Sequence, residues 1–305
     1  MAEKFPAKEG FIPFHGYKTW YRIVGEDTPG KLPLLCLHGG PGATHDYLEP
    51  LEDMAATGRR VIFYDQLGCG NSDQPHDPSM WTIPLFIDEL NTVRRELGLD
   101  NVHLLGQSWG GLLSLDYILR KPKGVASMTL ASTAASIEEW VVEADRLRTE
   151  LPGDVQATLL KHEAAGTTNH PEYEKATDVF NRRHLCRMDP WPDYVVSAFT
   201  KLAANPEVYH TMWGPNEFNV TGTLRPWNVR DRLHEIQVPT LVTSGEYDEA
   251  TPSISETLHR GIAGSKLKIF DDSSHMCHAE QKDEYLRVLT EFLDGVEGIV
   301  KFNSK

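Results

Sequence analysis

Short apolar runs alternate with amphipathic stretches in the first half of the chain. The runs Leu34–Leu37, Val61–Tyr64 and 102–105 are mostly apolar, a composition typical of strands buried on both faces. Between the second and third runs, apolar side chains recur at helical spacing over residues 83–97, and Gly98 follows where helices commonly end. This alternation of strands and helices predicts a parallel sheet that is covered by helices on both faces.

The pattern changes between residues 137 and 235. Here apolar and charged residues follow helical spacing, prolines separate the segments, and we find no strand pattern. Strand patterns return at 239–245 and 267–270, and residues 280–293 predict a last amphipathic helix. We therefore expect an α/β core made of residues 1–136 and 236–305, with residues 137–235 inserted as a helical cap over the strand ends.

The sequence Gly106-Gln-Ser-Trp-Gly-Gly111 follows one predicted strand and precedes a stretch of helical composition. A serine with glycines two residues away on either side is typical of a nucleophile elbow, because small residues permit a sharp turn that exposes the hydroxyl. Ser108 is therefore the candidate nucleophile. The Trp109 amide, at the start of the following helix, is suited to stabilising an oxyanion. The alternative is a glycine-rich turn with an incidental serine.

A second glycine-rich segment, His38-Gly-Gly-Pro-Gly42, follows the first buried strand. In folds that carry a nucleophile elbow, a loop at this place supplies the second amide of the oxyanion hole. Gly40 is the candidate donor, and Gly39 is the second choice. A plain turn between a strand and a helix is the alternative interpretation.

An elbow serine needs a general base and an acid that orients the base, in the chain order serine, acid, histidine. Asp248 comes just after the predicted strand that ends at Gly245, and His275 follows the next predicted strand. The order is the expected one. Asp248 and His275 are therefore the candidate catalytic partners of Ser108.

Other titratable residues could be mistaken for parts of this site. His278 competes with His275 for the role of base, and together with Cys277 it resembles part of a metal cluster. A zinc site needs three or four convergent ligands, and we find no matching spacing elsewhere, so we expect no metal and no organic cofactor. Asp65 and His38 are expected to bond backbone groups of their own loops.

Composition narrows the range of partners. The 305 residues include 30 Lys and Arg against 44 Asp and Glu, and the formal net charge of −14 opposes binding to nucleic acid or to an anionic membrane. The first ten residues lack the apolar segment of a signal peptide. Four cysteines without CxxC spacing indicate free thiols, so we expect a soluble, cytoplasmic protein. The sequence does not predict an oligomeric state.

Six motifs can be considered together: His38-Gly-Gly-Pro-Gly42, Asp65-Gln-Leu-Gly-Cys-Gly70, Gly106-Gln-Ser-Trp-Gly-Gly111, Gly214-Pro-Asn-Glu-Phe218, Gly245-Glu-Tyr-Asp-Glu249 and Ser274-His275. In combination they resemble the proline iminopeptidase family of α/β-hydrolases, above all tricorn-associated aminopeptidases and L-amino-acid amidases. The resemblance implies an α/β-hydrolase fold with a helical cap. It also implies a serine exopeptidase that removes an N-terminal residue, often proline, from a short peptide, or hydrolyses amino-acid amides and esters.

The same resemblance implies that two glutamates bind the α-ammonium of the substrate, and Glu217 and Glu249 stand at the matching positions. Paired carboxylates in a half-dry pocket suit this role, because an uncharged amide would leave them repelling each other and unsatisfied. Both glutamates could instead be solvated loop residues. Tyr209, Trp213 and Phe218 could form an apolar floor for a substrate ring, or could simply belong to the core.

Two other functions remain open at this point. One is a hydrolase with the same three residues that acts on an ester or lactone, and it would not require a free amine. The other is a ligand-binding protein that keeps the fold without catalysis, although the set Ser108, Asp248 and His275 argues against it. The Trp109 side chain, next to the nucleophile, is expected to form a wall of the acyl pocket.

Overall fold

The computed structural model describes the backbone of residues 5–303 and the side chains of residues 5–298. Residues 1–4, the start of the segment assessed for a signal peptide, lie outside this range. Within it, an eight-stranded sheet has the strand order β1-β2-β4-β3-β5-β6-β7-β8. The strands are β1 Ala7–Phe14, β2 Tyr17–Val24, β3 Leu34–Leu37, β4 Val61–Tyr64, β5 Val102–Gln107, β6 Val125–Ala131, β7 Thr240–Gly245 and β8 Lys266–Phe270.

Most of the sheet is parallel. Neighbouring strands from β4 through β3, β5, β6 and β7 to β8 pair in parallel, whereas β1 and β2 form an antiparallel hairpin at one edge. Pro13 lies on β1, where a residue without an amide hydrogen is tolerated because this strand has only one neighbour. The predicted fold class, a mostly parallel sheet flanked by helices, is confirmed.

Helices cover both faces of the sheet because successive side chains of a strand point in opposite directions. The flanking helices are α1 Ile83–Glu96, α2 Trp109–Ile118, α8 Pro252–Gly261 and α10 Lys282–Asn303. On β5, Leu104 packs in one cluster with Phe86 of α1 and Leu112 of α2. The adjacent Leu105 packs on the other face, in a cluster with Leu289 of α10. Both faces are therefore dry, and polar functional groups collect at the strand ends.

The chain between β6 and β7 forms helices and irregular segments. They are α3 Ile137–Arg148, α4 Gly153–Ala165, α5 Pro171–His184, α6 Asp193–Ala204, α7 Glu207–Met212 and a 3₁₀ helix at Arg230–Glu235. Lys201 of α6 pairs with Asp46 at 2.8 Å, and the Trp81 indole donates a hydrogen bond to Glu207 at 2.8 Å. Asp46 and Trp81 follow β3 and β4, so this segment lies beyond the carboxyl ends of those strands.

Two stretches differ from the elements predicted from the pattern. Residues His45–Thr57 form a 3₁₀ helix that ends at Gly58 in the left-handed conformation (φ 79°). The last helix begins later and extends further than residues 280–293. It begins later because a short α9 (Cys277–Glu280) precedes it, and the backbone of Gln281, between the two helices, is not helical. Among the described residues, no helix combines the length and the apolar composition that crossing a membrane requires.

Candidate active site

Ser108 lies in the sharp turn between β5 and α2. Its backbone has φ 55° and ψ −122°, a conformation that residues with a side chain rarely adopt, and its amide donates a hydrogen bond to the Ala131 carbonyl at 2.9 Å. A Cβ atom on Gly106 would overlap the carbonyl of Gly110, and a Cβ atom on Gly110 would overlap the carbonyl of Leu37. The close approach of the strands and the helix at this turn therefore requires both glycines.

His275 and Asp248 lie in the loops after β8 and β7, and their side chains are almost completely buried. Nδ1 of His275 is 2.7 Å from Oδ1 of Asp248. The carboxylate also accepts hydrogen bonds from the amides of Ala250 at 2.8 Å and Gly245 at 3.4 Å, which fixes its orientation. Because the Asp248 carboxylate accepts a hydrogen bond from Nδ1 of His275, the ring proton belongs on Nδ1, and Nε2 is left to accept a proton.

The candidate nucleophile and the candidate base face the same cavity. Both Ser108 and His275 line it. Within residues 5–303 their side chains form no hydrogen bond with each other. Contacts between a nucleophile and its base are often too long for a hydrogen bond without substrate, and they shorten when substrate binds.

The two glycines that begin the loop after β3 differ in hydrogen bonding. The Gly39 amide donates to the Tyr47 hydroxyl at 2.6 Å. Gly40 has φ 109° and lines the cavity, and its amide has no hydrogen-bond partner in the described part of the chain. The Trp109 amide, at the first position of α2, is likewise unpartnered there. Gly40 and Trp109 therefore have amides available to a ligand, whereas the Gly39 amide is already used.

One glutamate, Glu217, lines this cavity, and a second, Glu249, is buried beside His275. Glu249 is completely buried, and its carboxyl group accepts no hydrogen bond from an N–H or hydroxyl donor among the described residues, but it lies close enough to the carboxyl group of Glu217 to share a proton with it. Its Oε1 lies 3.6 Å from Nε2 of His275. Glu217 lines the cavity, and its Oε1 accepts a hydrogen bond from the Tyr209 hydroxyl at 2.7 Å. An acidic pair thus lies next to the candidate base.

Burial changes the protonation of this pair. It raises the pKa of Glu249 well above the usual range, and the nearby charges of Glu217 and Asp248 raise it further. Burial also raises the pKa of Glu217, although the Tyr209 hydrogen bond and nearby His275 partly oppose this effect. A raised pKa means that these carboxyl groups hold a proton more readily than ordinary glutamates, and a nearby cation favours their ionised form. The pair is therefore suited to a positively charged group of a ligand.

The cavity has two kinds of wall. Its polar wall consists of Gly40, Tyr47, Gln107, Ser108, Glu217 and His275, and its apolar wall of Ala43, Leu185, Ala198, Phe199, Leu202 and Met276. Three of the apolar residues lie on α6, so the segment between β6 and β7 closes one side of the site. The sequence pattern did not predict this wall. The helical spacing of apolar residues on α6 marks a packed face but does not show what that face contacts.

The aromatic residues suggested as a substrate floor belong to the core instead. Trp213 and Phe218 pack in the largest hydrophobic cluster and are not among the residues that line the described cavity. Tyr209 is buried as well, and it contacts the site through the carboxyl group that it orients. The Trp109 indole is fully buried and donates its Nε1 hydrogen to Gln66 at 2.8 Å, so it packs in the core and does not wall the cavity.

The competing titratable residues bond to backbone groups. Nε2 of His278 is 2.9 Å from the Tyr47 carbonyl, and burial lowers the pKa of this histidine to about 4. Nε2 of His38 accepts a hydrogen bond from the Gln66 amide at 3.0 Å. The Asp65 carboxylate accepts hydrogen bonds from two loop amides at 2.8 Å each. Each of these contacts stabilises a loop next to the site.

A cluster of possible metal ligands lies on the surface near the junction of α4 and α5. In His162, His170 and Glu172, one ligand atom of each lies within 4.8 Å of the others. Nδ1 of His170 accepts a hydrogen bond from the Glu172 amide at 3.2 Å, which places the proton of the neutral ring on Nε2. That nitrogen then has no lone pair for a metal. The Glu172 carboxylate is already paired with a cation, because Lys161 Nζ lies 3.2 Å from it.

His184, at the end of α5, is a further residue that sequence analysis missed. Its carbonyl accepts hydrogen bonds from the amides of both Glu249 and His275, each at 3.2 Å. Its Nδ1 lies 2.8 Å from the Tyr247 carbonyl. The segment between β6 and β7 therefore supports two loops of the site through one backbone group. No sequence pattern marks a carbonyl for this role.

Known proteins are similar in sequence to nearly the whole chain. Residues 33–281 match the family model described as the alpha/beta hydrolase fold. The chain is 43% identical over 287 residues to a proline iminopeptidase of Clostridioides difficile (strain 630), which covers 94% of this chain and 98% of that protein. The chain belongs to the proline iminopeptidase family of α/β-hydrolases. The resemblance based on the motifs is confirmed.

Solved structures of similar proteins agree with this family assignment. A crystal structure of a proline iminopeptidase from Mycobacterium smegmatis superposes with a TM-score of 0.90 at 41% identity, covering 96% of this chain and all of the other. The crystal structure of VinJ superposes with a TM-score of 0.92 at 43% identity, over 95% and 99% of the two chains. An enzyme that degrades N-acyl homoserine lactones is only 22% identical, and this likeness shows the fold alone.

Proposed function

We propose that this protein is a serine aminopeptidase that releases an N-terminal residue, proline or another small apolar residue, from short peptides or amino-acid amides. Relatives named proline iminopeptidase, about 43% identical over nearly the whole chain, support the proposal. The observation that carries it is a pair of carboxyl groups: Glu217 lines the cavity, and Glu249 is fully buried 3.6 Å from Nε2 of His275 and accepts no hydrogen bond from an N–H or hydroxyl donor in the described structure.

Covalent geometry explains why this position matters. The amine of an N-terminal residue lies about 2.5 Å from the carbonyl carbon of the same residue, because only Cα separates them. A group that binds the amine must therefore lie within a few ångströms of the nucleophile and the base. Glu249 beside His275, and Glu217 in the wall of the same cavity, meet this requirement. An amine bound there presents the first peptide bond, and no later one, to Ser108.

The same pair supports discrimination between free and blocked amines. An α-ammonium donates charge-assisted hydrogen bonds to both carboxylates. An internal amide or an N-acetyl group brings no charge, and it leaves a buried carboxyl group without a partner. Tyr209 orients Glu217 from the protein side, so we assign Tyr209 to amine binding through that contact.

Acyl transfer follows from the remaining groups. The Ser108 hydroxyl attacks the carbonyl carbon while Nε2 of His275 takes its proton, and Asp248 stabilises the imidazolium through Nδ1. The tetrahedral intermediate then expels the amine of the next residue, which receives that proton from His275. A water molecule, activated by His275, attacks the acyl-enzyme and releases the free amino acid.

We assign stabilisation of the tetrahedral oxyanion to the amides of Gly40 and Trp109. Neither amide has a hydrogen-bond partner in the described part of the chain, and Gly40 lines the cavity with Ser108. Removing one donor of such a pair typically costs on the order of a hundred- to a thousandfold in rate. Because the donors are backbone groups, every acyl substrate can use them.

We also propose that residues 137–235 act as a cap that limits substrate length. The apolar wall that α6 contributes to the cavity supports this role. Long or folded chains would have to displace α6 to reach Ser108. The free, buried state of all four cysteines supports our further proposal of a cytoplasmic location, and we propose no nucleic-acid or membrane partner.

A panel of aminoacyl anilides, each tested with and without N-acetylation, tests the proposed function. We expect hydrolysis of proline and small apolar anilides, and loss of that hydrolysis on acetylation. A fluorophosphonate probe should label wild type but not Ser108→Ala. Equal rates on free and acetylated substrates would contradict the aminopeptidase assignment and favour an esterase or amidase without amine recognition.

A further inference from the structure

Tyr47 connects the glycine loop after β3 to the elbow strand. It lies on the 3₁₀ helix His45–Thr57, and its hydroxyl accepts a hydrogen bond from the Gly39 amide at 2.6 Å. The same hydroxyl donates to Oε1 of Gln107 at 2.5 Å, and Gln107 directly precedes Ser108. The hydroxyl thus uses its single hydrogen and one lone pair to join two segments of the chain.

Gln107 extends this connection to the loop that carries the base. Its Nε2 donates a hydrogen bond to the backbone carbonyl of His275 at 3.1 Å. Both ends of its amide group are therefore used, one by Tyr47 and one by His275, which defines the orientation of the amide. Tyr47 and Gln107 are almost completely buried, with 3% and 2% of their surface exposed. Bonds in such surroundings are protected from competing water.

The loop has little room to shift. A Cβ atom on Gly39 would lie 2.9 Å from the Tyr47 hydroxyl, 2.9 Å from Oε1 of Gln107 and 3.0 Å from Cβ of Ser108. The Tyr47 backbone is held in turn, because its carbonyl lies 2.9 Å from Nε2 of His278. Burial raises the pKa of the Tyr47 hydroxyl, so it remains a donor across the ordinary pH range.

We propose that Tyr47 and Gln107 are positioning residues that hold the oxyanion loop, the nucleophile turn and the His275 loop in one geometry. Tyr47 occupies the Gly39 amide and leaves the neighbouring Gly40 amide for the oxyanion. Gln107 ties the backbone of His275 to the residue before Ser108. The inference rests on the proposed acyl-transfer function, but it does not depend on whether the acyl group carries a free amine.

The substitution Tyr47→Phe tests this proposal, because it keeps the ring and removes both hydrogen bonds of the hydroxyl. We expect kcat to fall about ten- to hundredfold, with KM changed less than twofold, since the oxyanion is present only after attack. The fall should be equal for an aminoacyl anilide and a neutral ester. The rate constant for labelling of Ser108 by a fluorophosphonate should fall in parallel, because the phosphoryl oxygen uses the same amides.

Tyr117→Phe is the matched control. Tyr117 is also buried, and its hydroxyl accepts a hydrogen bond from Arg94 at 2.8 Å and donates one to Asn91 at 2.9 Å, far along α2 from the elbow. This variant should lose thermal stability without losing kcat. A fall in kcat of the same size in Tyr117→Phe, or an unchanged labelling rate in Tyr47→Phe, would overturn the proposal.

A second variant, Gln107→Met, provides a test if Tyr47→Phe folds poorly. It keeps a similar side-chain volume and removes both contacts of the amide group. We expect the same selective fall in kcat and in the labelling rate, and retention of both would overturn the proposal. Failure of the proposed aminopeptidase function would be visible separately, because wild type would then hydrolyse the ester or react with the probe but not cleave the anilide.

Discussion

Glu89 and Glu249 are both completely buried, yet their surroundings differ. Glu89 lies on α1, and its Oε1 accepts hydrogen bonds from the Thr19 hydroxyl at 2.5 Å and from the Leu67 amide at 2.9 Å, whereas its Oε2 has no partner in the described structure. Glu249 accepts no hydrogen bond from an N–H or hydroxyl donor within the described structure; it lies beside His275 and can share a proton only with Glu217. Burial raises the pKa of both groups, that of Glu89 to about 8.

Under the proposed function, the difference separates an acid that serves the fold from one that binds a ligand. Glu89 joins β2 and the loop after β4 to α1, so its hydrogen bonds stabilise the packing of these elements. An unsatisfied buried polar group costs about 1–3 kcal/mol, and the oxygens of Glu249 have no partner in the described structure apart from a proton that they can share with Glu217. A bound ammonium would satisfy them. On this proposal, the free energy of unfolding is lowered at the place where substrate binding is improved.

Removal of the nucleophile gives the largest expected effect and isolates binding from catalysis. Ser108→Ala should lower kcat by about three to six orders of magnitude, because residues of such a set act as a unit. Its fold should be intact, and proline amide should still bind, since Glu217 and Glu249 are unchanged. Calorimetry on Ser108→Ala measures this binding. Adding Glu249→Gln should weaken it, whereas adding Glu89→Gln should not.

The pH dependence of KM gives an intermediate effect. Because the pKa of Glu249 is raised, this group retains a proton where an ordinary glutamate is ionised, and binding of an ammonium must release that proton. KM for a proline anilide should therefore fall as pH rises, by at most about tenfold per pH unit, until the substrate amine deprotonates near pH 8. KM for a neutral ester should stay constant. A constant KM for both substrates would contradict proton release.

The smallest effect on activity is expected at Glu89. Its folded-state pKa of about 8 exceeds the unfolded value of about 4.3, so the folded state binds more protons between these values. Its contribution to stability therefore falls as pH rises through this window, by up to a few kcal/mol. Glu89→Gln should remove that slope and leave kcat/KM unchanged. Denaturant unfolding of wild type and Glu89→Gln at pH 5 and pH 8 measures this slope. If both proteins lost the same free energy of unfolding between these pH values, the assignment of the slope to Glu89 would be contradicted.

The chain order and local motifs allowed much of this architecture to be predicted. Buried runs such as Leu34–Leu37 indicate strands directly, and the glycines around Ser108 are needed wherever a helix meets a strand so closely. The apolar wall formed by Phe199 and Leu202 could not be predicted in the same way. Their positions depend on how α6 packs on the core, which is a tertiary property. The hydrogen bonds of Tyr47 are equally non-local, because they join residues 60 positions apart.

The most direct test of amine recognition is the ratio of kcat/KM for a proline anilide to kcat/KM for a neutral short-chain ester, measured on wild type, Glu249→Gln and Glu89→Gln. A charge-assisted hydrogen bond in a partly dry site contributes about 1.5–3 kcal/mol, or roughly ten- to hundredfold in binding. We predict that Glu249→Gln lowers the ratio by this factor and that Glu89→Gln leaves it unchanged. An unchanged ratio in Glu249→Gln, with both substrates reduced equally, would contradict the account.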